Sequence, residues 1–90
     1  MNGELVKRQD RWDLYAEDGS KIGSSAPNPM NKLSLKNCEE IYDGNNAEYN
    51  VEIEMEQYVK YVPKSLATVY PTGGVRPKLD EDGCLILKRK

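Results

Sequence analysis

Three carboxylates at alternate positions, Glu52, Glu54 and Glu56, are the residues best placed to do chemistry. In an extended strand, residues two apart point to the same side, about 6.6 Å from each other, so these glutamates would form a row of negative charge. A carboxylate becomes a useful general acid when burial shifts its pKa, and alternating glutamates are typical of a solvated strand face. The row therefore predicts a surface that docks on a basic partner. An ordinary solvated edge is the alternative.

Catalytic and metal-binding patterns are missing from the sequence. The chain has no histidine, which removes the commonest general base and the Ser–His and Cys–His nucleophile arrangements. Gly73-Gly74 is not part of a phosphate-binding motif and predicts a turn. Segment 43–54 places Ala47 and Glu48 where a calcium loop needs a ligand and a glycine. We therefore expect a non-enzymatic protein without a metal or cofactor.

A second binding pattern interleaves tyrosine with lysine at Tyr58, Lys60, Tyr61 and Lys64. Aromatic rings stack on bases and lysines neutralise phosphates, so this pattern predicts a single-stranded nucleic-acid surface. The formal net charge is −2 and the pI is about 5.1, whereas nucleic-acid-binding domains are usually basic. Nucleic-acid binding is therefore the alternative to protein binding, and the tyrosines equally suit packing.

The segment 23–32 is a third candidate, since it carries Pro27, Asn28 and Pro29 within a run rich in serine and asparagine. Prolines and asparagines favour turns and resist both helix and sheet ladder. At about ten residues this loop is at the long end of the usual range. It predicts either a plain connection or a loop that binds the partner.

The sequence predicts one α+β domain over residues 1–90, with an antiparallel sheet of four to six strands and one short helix. Two hairpins are expected, with turns at 17–19 and 81–83, and Trp12, Leu14 and Ile22 on the buried face of the first. The helix should begin after Ser34 and end before Gly44. Its apolar stripe should comprise Leu35, Cys38, Ile41 and Tyr42.

The segment 48–62 alternates apolar and polar residues and predicts a strand over Tyr49 to Tyr61 with a bend near Gln57-Tyr58. A helix is the alternative, because Val51, Met55 and Val59 also fit a helical stripe. Beyond Pro63, Ser65 to Tyr70 predicts a short strand and Pro71 to Pro77 a loop.

The charges are unevenly distributed, with seven acids and no base over 39–56, and then four bases and no acid over 57–78. Cys38 and Cys84 lack metal or redox spacing and are expected to be free thiols. No segment has the apolar length of a membrane span or the apolar core of a signal peptide. We expect a cytoplasmic interaction protein that binds another macromolecule, with no membrane partner.

Overall fold

The computed structural model describes residues 1–42, 44, 47–65 and 68–90. These form an α+β fold, as the sequence predicts, built from an antiparallel sheet, one short helix and a separate two-stranded ribbon. The elements in chain order are β1 Asn2–Lys7, β2 Trp12–Ala16, β3 Lys21–Ser24, α1 Leu35–Ile41, β4 Glu48–Ile53, β5 Met55–Pro63, β6 Val69–Pro77 and β7 Leu87–Arg89.

The main sheet has five strands in the order β3-β2-β1-β4-β7, all antiparallel. Its inner face carries the core, since strand residues two apart share a face. The helix closes the core through Cys38 and Ile41. The core residues are Leu5, Trp12, Leu14, Leu33, Cys38, Ile41, Tyr49, Val51, Ile53, Leu85 and Leu87.

The hairpin β2–β3 confirms the first of the two hairpins that the sequence predicts. Gly19 has a φ of +87° in its turn, a conformation that glycine adopts without a steric penalty. Trp12 and Leu14 are buried, and Ile22 is partly buried against the core. This hairpin supplies one edge of the main sheet.

The helix begins as predicted, because the Ser34 hydroxyl accepts a hydrogen bond from the Asn37 amide at 3.3 Å. The predicted stripe is wrong at Leu35, which is 59 % exposed. The helix contacts the core through Cys38 and Ile41, and its first residue, Leu35, stays outside the core. The helix ends at Ile41, before Gly44 as predicted, with Tyr42 in an extended conformation as the C-cap. Asp43, which the prediction also placed at the helix end, lies outside the described residues.

The segment 48–62 is extended, as predicted, but it forms two strands in two different sheets. Its break is at Glu54 and not at Gln57-Tyr58. The Glu54 amide donates to the Ile86 carbonyl at 3.0 Å, while its carbonyl accepts from the Lys78 amide at 2.9 Å. Glu54 is therefore the joint at which the chain leaves the main sheet for the ribbon.

The predicted loop Pro71 to Pro77 is wrong, because these residues lie in β6 and pair with β5. The predicted turn at Gly73-Gly74 is wrong for the same reason. Proline is tolerated in an edge strand where its missing amide would face solvent. The predicted strand Ser65 to Tyr70 is found from Val69 onward, and Leu66 and Ala67 lie outside the described residues.

The second hairpin forms only in part. Residues 81–83 make the predicted turn, with Gly83 at φ +76°, and Asp80 Oδ1 accepts from the Asp82 and Cys84 amides at 2.9 Å. A single bridge between Leu79 and Leu85 follows. The last strand, β7, pairs instead with β4, and this pairing places its apolar residue Leu87 in the core.

Candidate docking surface on the ribbon

The ribbon β5–β6 is the largest feature outside the core. Nine consecutive pairs join its strands, from Met55 opposite Pro77 to Pro63 opposite Val69, a length of about 30 Å at 3.3 Å per residue. The molecule measures 58 × 25 × 23 Å, so the ribbon is longer than either of its two shorter dimensions. At its base Met55 packs partly against the core.

One face of the ribbon carries no charge. The pairing register places the odd-numbered residues of both strands on this side, which we call the uncharged face. It comprises Met55, Gln57, Val59, Tyr61, Pro63, Val69, Pro71, Gly73, Val75 and Pro77. None of these ten residues has an acidic or basic side chain.

The uncharged face is open to solvent. Val59 is 66 % exposed, Tyr61 68 %, Val69 61 % and Val75 62 %. Single exposed apolar residues are normal on protein surfaces, whereas a contiguous exposed set of this kind is a candidate interaction site. A two-stranded ribbon is also only marginally stable alone, so covering this face would stabilise it.

The opposite, charged face is held by internal contacts. Arg76 Nε donates to Glu56 Oε1 at 2.8 Å, and these residues are direct cross-strand partners. The Arg76 guanidinium also lies 5.2 Å from the centre of the Tyr58 ring. The Tyr58 ring lies over Gly74, since a Cβ at that glycine would be 3.2 to 3.4 Å from the ring and its hydroxyl. These contacts fix the ribbon and leave the uncharged face as its free side.

The predicted carboxylate row is divided between the sheet and the ribbon. Glu52 is exposed in β4, directly opposite Lys88 of β7. Glu54 forms an ion pair with Lys78 at 3.5 Å, and Glu56 is the partner of Arg76. Each carboxylate thus faces a basic residue, which reduces the negative potential that the row could present.

The predicted nucleic-acid set is divided between the two ribbon faces. Tyr58 and Lys60 lie on the charged face, whereas Tyr61 lies on the uncharged face. Lys64 follows the end of β5 and its amide donates to the Thr68 carbonyl at 2.8 Å. One face therefore brings together only Tyr58 and Lys60, and the Tyr58 ring already contacts Gly74 and Arg76.

The predicted loop residues border a depression of about 280 Å³, which Lys21, Ala26 and Met30 also line. Pro27 and Asn28 are exposed and Pro29 is half-buried. Asn28 has a φ of +55°, a left-handed conformation that asparagine adopts more readily than most residues. The depression is open and shallow, and Met30, 83 % exposed, projects beside it.

Sequence reasoning missed a cluster of cations around Asp13, a residue that is 1 % exposed. Arg8, Arg11 and Lys21 lie within 3.1 to 3.4 Å of its carboxylate, and the Ser24 hydroxyl donates to it at 2.9 Å. Burial raises the pKa of Asp13, but the hydrogen bonds from Ser24, Arg11 and Lys21 outweigh burial and lower it overall. These ion pairs and the Ser24 hydrogen bond connect the turn between β1 and β2 to strand β3.

Both cysteines are buried free thiols, as the sequence predicts. Burial raises the pKa of Cys38 to about 12 and also raises that of Cys84, so neither is a thiolate at neutral pH. Within the part of the chain that the structure describes, no group of three acidic or cysteine side chains could hold a metal ion. No helix among those residues is long and apolar enough to span a membrane.

The fold and surface thus define a small α+β protein that carries an extended ribbon with one uncharged face. Comparison with protein-family models, with curated proteins and with solved structures finds no match to this chain.

Proposed function

We propose that this chain is a non-enzymatic interaction protein that binds a protein partner through the uncharged face of the β5–β6 ribbon. The observation that carries the proposal is the exposure of Val59, Tyr61, Val69 and Val75 on one side of a ribbon. The main sheet positions this ribbon through Glu54 and buries its own apolar residues, so the exposed set is separate from the core.

The chemistry of this face favours a protein over a nucleic acid. A surface for single strands combines stacking aromatics with nearby cations, whereas the uncharged face has one tyrosine and no basic residue. A protein interface has an apolar centre with tyrosine enriched and charge at its rim. Here the charged residues Lys60 and Arg76 lie on the opposite face of the ribbon, so the uncharged face has the composition of an interface centre.

The test is a matched pair of substitutions in β6. Val75→Asp places a charge on the uncharged face, and Thr72→Asp places the same charge on the opposite face of the same strand. Both residues are exposed. The immobilised protein is used to capture partners from a lysate of its source cells, and the captured protein is then purified and titrated directly.

We expect the Thr72→Asp protein to capture and bind the same partner as the unsubstituted protein, and the Val75→Asp protein to lose it, because a buried unpaired carboxylate is costly at an interface. Equal binding by both variants would contradict a role for the uncharged face. Binding of oligonucleotides that weakens steeply with salt would instead support the nucleic-acid alternative.

A further inference from the structure

The outer edges of the ribbon differ from its faces, because backbone amides and carbonyls point along the sheet. At the base of the ribbon the Lys78 amide bonds to Glu54, and near its tip the Lys64 amide bonds to Thr68. All four of these residues have even numbers, and the two pairs continue the register of the nine ribbon pairs that lie between them. Since hydrogen-bonded pairs alternate along an antiparallel ladder, even-numbered amides point inward and odd-numbered amides point to the outer edges.

This alternation makes the two edges unequal. All three prolines of the ribbon, Pro63, Pro71 and Pro77, are odd-numbered, so each removes an outward donor and none breaks the internal ladder. Pro71 and Pro77 interrupt the edge of β6, which keeps outward amides on Val69, Gly73 and Val75. The edge of β5 keeps outward amides on Met55, Gln57, Val59 and Tyr61, and no strand among the described residues pairs with it. An open edge of this length is a template for another strand.

The side chains of β5 favour a second copy of the same strand as that partner. The strand has only two charged residues, Glu56 and Lys60. When two β5 strands pair antiparallel about a two-fold axis at Tyr58, Glu56 of each copy lies opposite Lys60 of the other. This register also places the odd-numbered amides in hydrogen-bonded pairs and the charged residues in non-hydrogen-bonded pairs, where side chains are closest.

We infer that the chain forms a two-fold symmetric dimer by antiparallel pairing of β5 with β5 of a second copy, which joins the two ribbons into one four-stranded sheet. The interface is isologous and uses the β5 edge of each copy once, so the assembly closes at two copies, with the proline-bearing β6 strands as its outer edges. Edge pairing leaves the uncharged faces exposed and places them side by side. The dimer does not depend on the proposed partner, because it uses the edge and not the face.

The first test follows mass against concentration by analytical ultracentrifugation. Pairing one strand edge with another gives a small interface, and small interfaces belong to weak complexes, so we expect a reversible monomer–dimer equilibrium. Glu56→Lys alone and Lys60→Glu alone each place like charges opposite one another twice, and each should weaken the dimer about tenfold or more. An equimolar mixture of the two variants restores both opposite-charge pairs and should form heterodimers. A wild-type protein that stays monomeric, or a mixture that does not dimerise, would overturn the inference.

Glu56 also binds Arg76 within the ribbon, so Glu56→Lys removes a contact inside the monomer as well as one in the dimer. A second pair of variants therefore tests the pairing without changing that contact. Val59→Pro removes an outward amide from the β5 edge, and Val75→Pro removes one from the β6 edge. Both residues are valines with similar exposure, and both amides point away from the internal ladder. Val59→Pro should abolish the dimer and Val75→Pro should leave it intact. Dimerisation by the Val59→Pro protein would overturn the proposed β5–β5 pairing. This dimerisation test is independent of the partner-capture test with the Val75→Asp protein.

Discussion

Tyr58 and Gly74 are direct cross-strand partners, and the tyrosine ring occupies the space next to the glycine, where a Cβ would lie only 3.2 to 3.4 Å from the ring and its hydroxyl. Glycine in a strand interior offers no side chain to pack, and an aromatic ring across it compensates for that loss. The tyrosine that the sequence suggested as a base-stacking residue therefore stabilises the ribbon. The docking function that we propose therefore uses residues on the other face.

The two adjacent glycines of β6 should respond differently to substitution. A Cβ at Gly73 would collide with the backbone carbonyl oxygen of Tyr58, whereas at Gly74 it would meet the Tyr58 ring and hydroxyl, which can move. Gly73→Ala should therefore open the ribbon and Gly74→Ala should disturb it less. Amide hydrogen exchange over 55–77 measures this. Equal exchange in the two variants would contradict the described close approach.

Asn37 should act as a clamp between the helix and the last strand. Its side-chain amide donates to the Leu87 carbonyl at 3.0 Å, and its side-chain oxygen accepts from the Leu87 amide at 2.9 Å. Asn37→Ala leaves both backbone groups without these partners and should lower the free energy of unfolding by about 1 to 3 kcal/mol. Urea denaturation measures the change.

The control for this clamp is Lys36→Ala, one residue earlier on the exposed side of the helix. An exposed substitution of this kind should change stability by no more than about 0.5 kcal/mol. If the two variants were equally stable, the Asn37 contacts would contribute nothing measurable.

The carboxylate of Asp13 should contribute pH-dependent stability. Its pKa in the folded protein is below the ordinary value of 3.8, so its contribution is fully present above that pH and is lost as the pH falls through the lower, folded value. Asp13→Asn should cost about 2 kcal/mol at neutral pH, because it weakens charge-assisted hydrogen bonds to half-exposed cations.

The difference between wild type and Asp13→Asn should shrink as the pH falls below 3.8. Asp10→Asn serves as the control, since Asp10 is 78 % exposed and contacts Arg11 at 3.4 Å. Thermal unfolding across a pH series measures all three proteins. A difference that stays constant down to strongly acidic pH would contradict the charge-based explanation.

The thiols should be unreactive in the folded protein. Because burial raises the pKa of Cys38 to about 12 and raises that of Cys84, alkylation at pH 8 should be slow in native buffer and fast in denaturant. The alkylation rates of the Cys38→Ser and Cys84→Ser variants show which rate belongs to which thiol. Rapid alkylation of either native thiol would show that the core around it opens readily.

The sequence predicted the α+β class, the first hairpin and the Ser34 cap because each depends on local turn or cap chemistry. It located the alternating strand at Glu48 but not the break at Glu54, since that break depends on hydrogen bonds to Ile86 and Lys78, which are distant in sequence. The prolines of β6 led to the wrong prediction of a loop over Pro71 to Pro77. Their shared odd numbering, together with Val69 and Val75, was the signal that could have revealed an edge strand with an apolar face.

Removal of the ribbon tests most directly whether it, and not the body, is the docking element. Glu56 and Arg76 are opposite partners, so residues 57–75 can be replaced by a two-residue Asn-Gly hairpin turn. The shortened chain keeps Glu52 and the loop residues Pro27 to Pro29, and nearly all of its core. We expect it to unfold at nearly the same temperature, with the Trp12 environment unchanged, and to lose the partner completely. Retention of the partner by this folded, ribbonless protein would contradict the account and assign binding to the body.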